Sequence, residues 1–133
     1  MKFKNYEIYG AVMIPQGEGK AVNPLGDLLK RTDIPVKHFL PIVRTAKKIQ
    51  EEAANIEQSR NSLILKYGTK GEDGNVTIKP GSDNWAAFVK EHTELMNMET
   101  EIIMEKMRIP ESITISGDEL GALEPFIDLI VGG

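Results

Sequence analysis

The stretch VKHFLPIVRTAKKIQEEAANIEQSRNSLILKY, residues 36–67, carries the strongest periodic signal in the chain. From Phe39 through Ile42, Ala46, Ile49, Ala53, Ile56, Arg60 and Leu63 to Tyr67 the steps alternate between three and four residues. Only Arg60 in that series is neither apolar nor aromatic. Such spacing gathers side chains on one stripe of an α-helix and predicts a single helix with a heptad seam. At a rise of about 1.5 Å per residue the helix is roughly 45 Å long. Off the seam, Lys47/Glu51 and Lys48/Glu52 are opposite charges four residues apart, a spacing that supports a helix.

The ends of this helix carry their own signals. Asp33 is a candidate N-cap with Pro35 in the first turn, so the helix can begin before Val36 and bend at Pro41, which lacks an N–H. Gly68 stands where a glycine stop belongs. Beyond it, Thr69 to Ser82 is rich in Gly, Asp and Lys. Asp73-Gly74-Asn75 reads as a turn, and Val76 to Lys79 alternates as a strand does. Ser82 or Asp83 then caps a second helix through Trp85, Phe88, Val89, His92, Leu95 and Met96. The two helices are expected to lie antiparallel. Counting back equally from Tyr67 and Asp83 places Arg60 near Lys90 and Glu91, with Glu94 a turn further on. Between Glu101 and Ile109, charges alternate with Ile103, Met107 and Ile109, suiting a strand able to pair with Val76–Lys79. The last element, Gly117 to Val131, reads as a helix capped by Ser116 or Asp118, with Leu120, Leu123, Ile127 and Ile130 on one face and a bend at Pro125.

On the N-terminal side, Tyr6, Tyr9 and Met13 share a helical face, with Ile8 and Val12 on the neighbouring one. Gly10 weakens that helix and leaves a strand open. Gln16 to Asn23 reads as a loop. Pro24 opens a short helix through Leu28 and Leu29, which Ile34-Pro35 ends. The expected fold is α+β and mostly α: a long helix and a shorter antiparallel one joined through a small hairpin-like sheet, plus a C-terminal helix. The 133 residues suit one domain, with 1–33 an N-terminal arm and short helix and 34–133 the remainder.

Composition narrows the chemistry. The chain has no cysteine, which removes thiol nucleophiles, disulfides and zinc thiolates. A net charge of −4 with mixed signs argues against a nucleic-acid surface. No apolar run approaches the roughly 20 residues of a membrane span, and the first residues lack a secretory pattern, so the expected location is cytoplasmic. His38 and His92 read as packed or half-exposed helical histidines. Glu72, Asp73 and Asp83 flank a glycine-rich loop without the oxygen spacing of a calcium site. Gly17-Glu18-Gly19-Lys20 and Gly68-Thr69-Lys70-Gly71 match neither phosphate-loop fingerprint. No catalytic residue, cofactor, metal or small-molecule substrate is therefore expected. The candidates for macromolecular contact are Arg60 on the seam, the single Trp85, and Met96, Met104 and Met107. A methionine-rich surface suits adaptable binding, although methionine is also ordinary core filler.

One broader pattern stands out. It runs from Ile34-Pro35-Val36-Lys37 through Ala46-Lys47-Lys48-Ile49 and Leu63-Ile64-Leu65-Lys66-Tyr67-Gly68. It continues with Glu72-Asp73-Gly74-Asn75, Glu99-Thr100-Glu101-Ile102, Ile113-Thr114-Ile115-Ser116, Leu120 and Ala122-Leu123. This resembles a family of short bacteriophage and prophage proteins of unknown function from phages of Gram-positive bacteria. The resemblance covers about Ile34 to Ile130; Gln16–Asn23 is extra length beside it. It brings no active residues and implies a phage setting in the infected host cytoplasm or the virion. The expected function is a non-catalytic structural or assembly component working through protein contacts or self-association. The rivals are a small inhibitor of a host enzyme or defence protein, and an enzyme of unrecognised type.

Overall fold

A computed structural model describes residues 1–131; Gly132 and Gly133 lie outside the described residues. The fold is built around one helix, α3 (Val36–Tyr67), which spans the whole predicted stretch. Its Ile42, Ala46, Ile49, Ala53 and Ile56 are buried on the expected seam, while Phe39 packs against the core from its margin. Past Ile56 the seam changes character. Arg60, Leu63 and Tyr67 are only half-buried.

The start of α3 differs from expectation. Its N-cap is Pro35, not Asp33, and it does not begin before Val36. The Asp33 carboxylate instead accepts two bonds from the Arg31 guanidinium, at 2.9 and 2.6 Å, and so is not free to cap. Pro41 lies inside the helix, where its missing N–H removes the bond that Lys37 C=O would accept. The two predicted i,i+4 ion pairs do not form. Lys48 Nζ donates to the Ile103 carbonyl at 2.7 Å, and no ion pair of Lys47 occurs among the described residues.

Gly68 does end α3, for a different reason from a left-handed cap. Its φ of −87° and ψ of 164° are ordinary extended backbone. A Cβ there would strike Val76 Cγ1 and stand 2.5 Å from the Ile64 carbonyl oxygen, so space demands glycine. The close approach seats the hairpin β4 (Thr69–Lys70) and β5 (Val76–Thr77) on the end of α3. Gly68→Ala is expected to cost about 1–3 kcal/mol by overpacking. Urea melts with far-UV circular dichroism would check this; a shift below ~0.5 kcal/mol would mean that the hairpin yields freely.

The turn of that hairpin is held by Asp73, whose Oδ1 accepts from the Asn75 N–H at 3.0 Å, with Gly74 at φ 84°. The strand stops at Thr77 rather than Lys79, because the Lys79 carbonyl accepts from both the N–H and hydroxyl of Ser82. The Ser82 Oγ accepts from Trp85 N at 3.1 Å and caps α4 (Asp83–Asn97), which runs back along α3.

The remaining strands pair differently from the prediction. β6 (Glu99–Glu101) is antiparallel to β1 (Lys2–Lys4), not to the Val76 strand. Val76 finds its partner across a five-residue connection, so little loop entropy is spent closing it. Lys4 Nζ lies 3.5 Å from Glu99, and the N-terminal ammonium 3.3 Å from Glu101. After β1, α1 (Asn5–Gly10) resolves the helix-or-strand ambiguity: three residues are strand and the next six helix. Asn5 is buried but satisfied. It donates from Nδ2 to the Leu95 carbonyl at 2.8 Å, and its Oδ1 accepts from Thr100 Oγ1 at 2.6 Å. The predicted loop is a small hairpin, β2 (Ile14–Pro15) with β3 (Ala21–Val22), turned by Gly17, Glu18 and Gly19, all at positive φ. Asn23 caps α2 (Pro24–Leu29), which ends at Leu29, well before the predicted Ile34-Pro35 stop.

The C-terminal prediction fails in its second half. β7 (Met107–Pro110) leads to α5 (Gly117–Leu123), capped by Ser116; a 3-10 turn over Glu124–Phe126 follows, then β8 (Ile127–Ile130). β8 is parallel to β7, with Ile127 beside Met107. Pro125 ends the helix instead of bending it, since it has no N–H to donate. Phe126 then turns fully inward, its ring centroid 4.5 Å from that of Phe3. Residues 1–33 are no arm: Phe3, Ile8, Ala11, Leu25 and Leu28 share one core with α3, Ile109 and Phe126. The architecture is α+β and mostly α, as the periodicity indicates.

Candidate functional site

Two features lie outside that core. The first is the distal hairpin, where α3 beyond Ile56 meets α4. Although α4 is amphipathic, it has no buried residue. Its apolar face is unevenly covered: Phe88, His92, Leu95 and Met96 are half-buried, whereas Trp85 is 39% and Val89 42% exposed. The Trp85 and Phe88 rings are 5.9 Å apart, and Phe88 and His92 5.4 Å, so an aromatic row runs along the helix. On the α3 side, the Lys66 ammonium sits 5.0 Å over the Tyr67 ring and 3.4 Å from the Glu91 carboxylate. The Tyr67 hydroxyl, ahead of Lys66, holds the Glu91 carboxyl below its ordinary range.

Arg60 does not reach Glu91 or Glu94 as counting had placed it, and it makes no ion pair among the described residues. Asn84 Nδ2 donates to the Tyr67 carbonyl, so Tyr67 stands beside Asn84 rather than Asp83. Arg60 lies close enough to His92 for its charge to act on that ring. Burial, and then the Arg60 charge, push His92 below its ordinary value of 6.5. A histidine whose folded pKa is depressed is protonated more readily in the unfolded chain. Stability is therefore unaffected above the unfolded pKa and is lost as pH falls from about 6.5 toward the folded value. His92→Gln is expected to remove this loss, and Arg60→Leu to reduce it while leaving the melting temperature equal or higher. Thermal melts across pH 7.5 to 5 would measure both; an unchanged acid loss in His92→Gln would assign it to other groups.

The methionines divide. Met96 and Met104 pack against the core from its edge. Met107, on β7, points inward and is 3% exposed, so it belongs to the core and is not a surface contact. Strand alternation puts Arg108 outward and Ile109 inward, a pattern visible in the residues themselves.

The second feature had no forerunner in the sequence. A cleft of about 530 Å³ opens between the first turns of α3 and the connector into β7. Lys37, His38 and Thr45 face Glu105, Lys106 and Arg108 across it, with Pro41, Met107 and Ile130 also lining it. The His38 Nε2 atom itself is buried and has no hydrogen-bond partner among the described residues. None of Lys37, Lys106 and Arg108 forms an ion pair among them either.

The two glycine-rich segments serve turns: Gly17–Lys20 reverses β2 into β3, and Gly68–Gly71 caps α3 and enters β4. No helix among the described residues is long and apolar enough to cross a membrane. Comparison with models of known protein families, with curated proteins and with solved structures found no match.

Proposed function

We propose that the protein is a non-catalytic, phage-encoded assembly or virion component that works through protein contacts on its distal hairpin. The observation that carries the reading is the unburied α4. A helix of fifteen residues in a folded domain normally gains its stability by burying an amphipathic face, and this one has no fully buried residue. Trp85 and Val89 leave an apolar edge open, and aromatic residues are favoured anchors in protein interfaces. The phage setting is supported by the sequence pattern from Ile34 to Ile130. Among the described residues, no hydrogen bond joins His38 or His92 to a nucleophile or an orienting group.

The test is mass spectrometry of purified particles. The protein should be present at a fixed ratio to the capsid or tail proteins, or should co-purify with an assembly intermediate. Its absence from both, together with stoichiometric capture of a single host enzyme, would replace this reading with that of a host-directed inhibitor.

A further inference from the structure

We propose that the cleft between the start of α3 and the connector into β7 binds a phosphate-bearing small molecule. This goes beyond the protein contacts of the distal hairpin and does not depend on them. The cleft volume, about 530 Å³, is that of a small-molecule pocket, for which 300–1,000 Å³ is roughly the usual range. Its polar groups converge from both sides. Lys37 and His38 come from α3; Lys106 and Arg108 come from the connector and β7. The connector is fixed in place by Lys48, which donates to the Ile103 carbonyl at 2.7 Å.

In a chain of net charge −4, unpaired cations gathered in one hollow call for a counter-charge. Three cations against the single Glu105 carboxylate leave two positive charges. Asp128 stands opposite Arg108 in the strand register but forms no ion pair with it. A phosphate monoester carries about two negative charges at neutral pH and three strong acceptor oxygens. A carboxylate would leave one charge uncompensated. Arg108, which lines the cleft, can offer two parallel N–H groups to such oxygens. Pro41, Met107 and Ile130 form an apolar side against which the body of the molecule can lie.

Calorimetry at low ionic strength on the full chain tests the assignment with adenosine monophosphate, adenosine, inorganic phosphate and citrate. The monophosphate should bind saturably, one per chain. Arg108→Gln and Lys106→Gln should each weaken it about tenfold, the effect of losing one charge-assisted hydrogen bond. Glu105→Gln should strengthen it a few-fold, because it removes the opposing charge. Lys20→Gln, on the β2–β3 turn, should change nothing. All four residues are at least partly exposed, and equal melting temperatures would confirm that the variants remain folded. Inorganic phosphate binding as tightly as the monophosphate supports a site for the free anion. Tighter monophosphate binding supports a phosphoryl group carried on a larger molecule. The proposal is overturned by the absence of saturation at millimolar ligand, by adenosine binding equal to the monophosphate, by preference for citrate, or by equal losses in Lys20→Gln and Arg108→Gln.

Discussion

Ile49→Ala is expected to destabilise the fold by about 3–4 kcal/mol, within the roughly 2–5 kcal/mol range of large-to-alanine changes in cores. Ile49 is fully buried at the middle of the seam, in the same core as Ile8, Ile109 and Phe126. Its neighbours come from separate elements, so they cannot close together over the space without shifting the sheets and α1. A domain of this size is stable by only about 5–15 kcal/mol, and the loss should lower the melting temperature by roughly 10 °C or more. Leu65→Ala is the matched control. Leu65 lies on the same helix but is 67% exposed, and its removal should cost no more than about 0.5 kcal/mol. Equal effects of the two changes, measured by urea melts, would mean that the seam does not face the core as described.

The second large effect concerns association. Val89→Glu should abolish whatever assembly the distal hairpin makes, while leaving the monomer folded. Val89 is 42% exposed on a helix with no fully buried residue, so a carboxylate there meets water in the free chain. Within an interface the same carboxylate would be desolvated beside the Trp85–Phe88 row, at the scale of a hot-spot change, about 2 kcal/mol or more. The wild-type chain is expected to associate with itself or to hold a protein partner, and Val89→Glu to run as a free monomer by light scattering at equal concentration. On the proposed reading as a virion component, particles assembled with the variant should then lack the protein. A wild-type chain that stays monomeric, in an infection where Val89→Glu particles incorporate it normally, would exclude the hairpin as a contact surface.

What could be read without coordinates was local. The three-and-four spacing from Phe39 to Tyr67 marks α3 because helix period and seam are properties of neighbouring residues. Ser82 and Ser116 cap helices through bonds that span three residues, and Asp73-Gly74-Asn75 turns on bonds within itself. Wherever the outcome depended on residues far apart, the local signal was insufficient. Ile127 and Ile130 fit a helical stripe, but Pro125 and the open edge of Met107–Pro110 made them a parallel strand. Glu99–Glu101 paired with Lys2–Lys4, about a hundred residues away, because opposite charges and the buried Phe3 meet there. Arg60 missed its predicted partners because Glu91 pairs with Lys66 instead, and its charge falls near His92. The basic cleft was least legible of all. Lys37 and Arg108 are distant in the chain, and only the packing of β7 against α3 brings their charges into one hollow. Sequence by itself determined the bodies of α3 and α4 and the Asp73-Gly74-Asn75 turn, whose energies are settled within a few residues. Strand partners, the uncovered face of α4 and the charges of the cleft were decided by tertiary structure, because each depends on which distant groups share the same space.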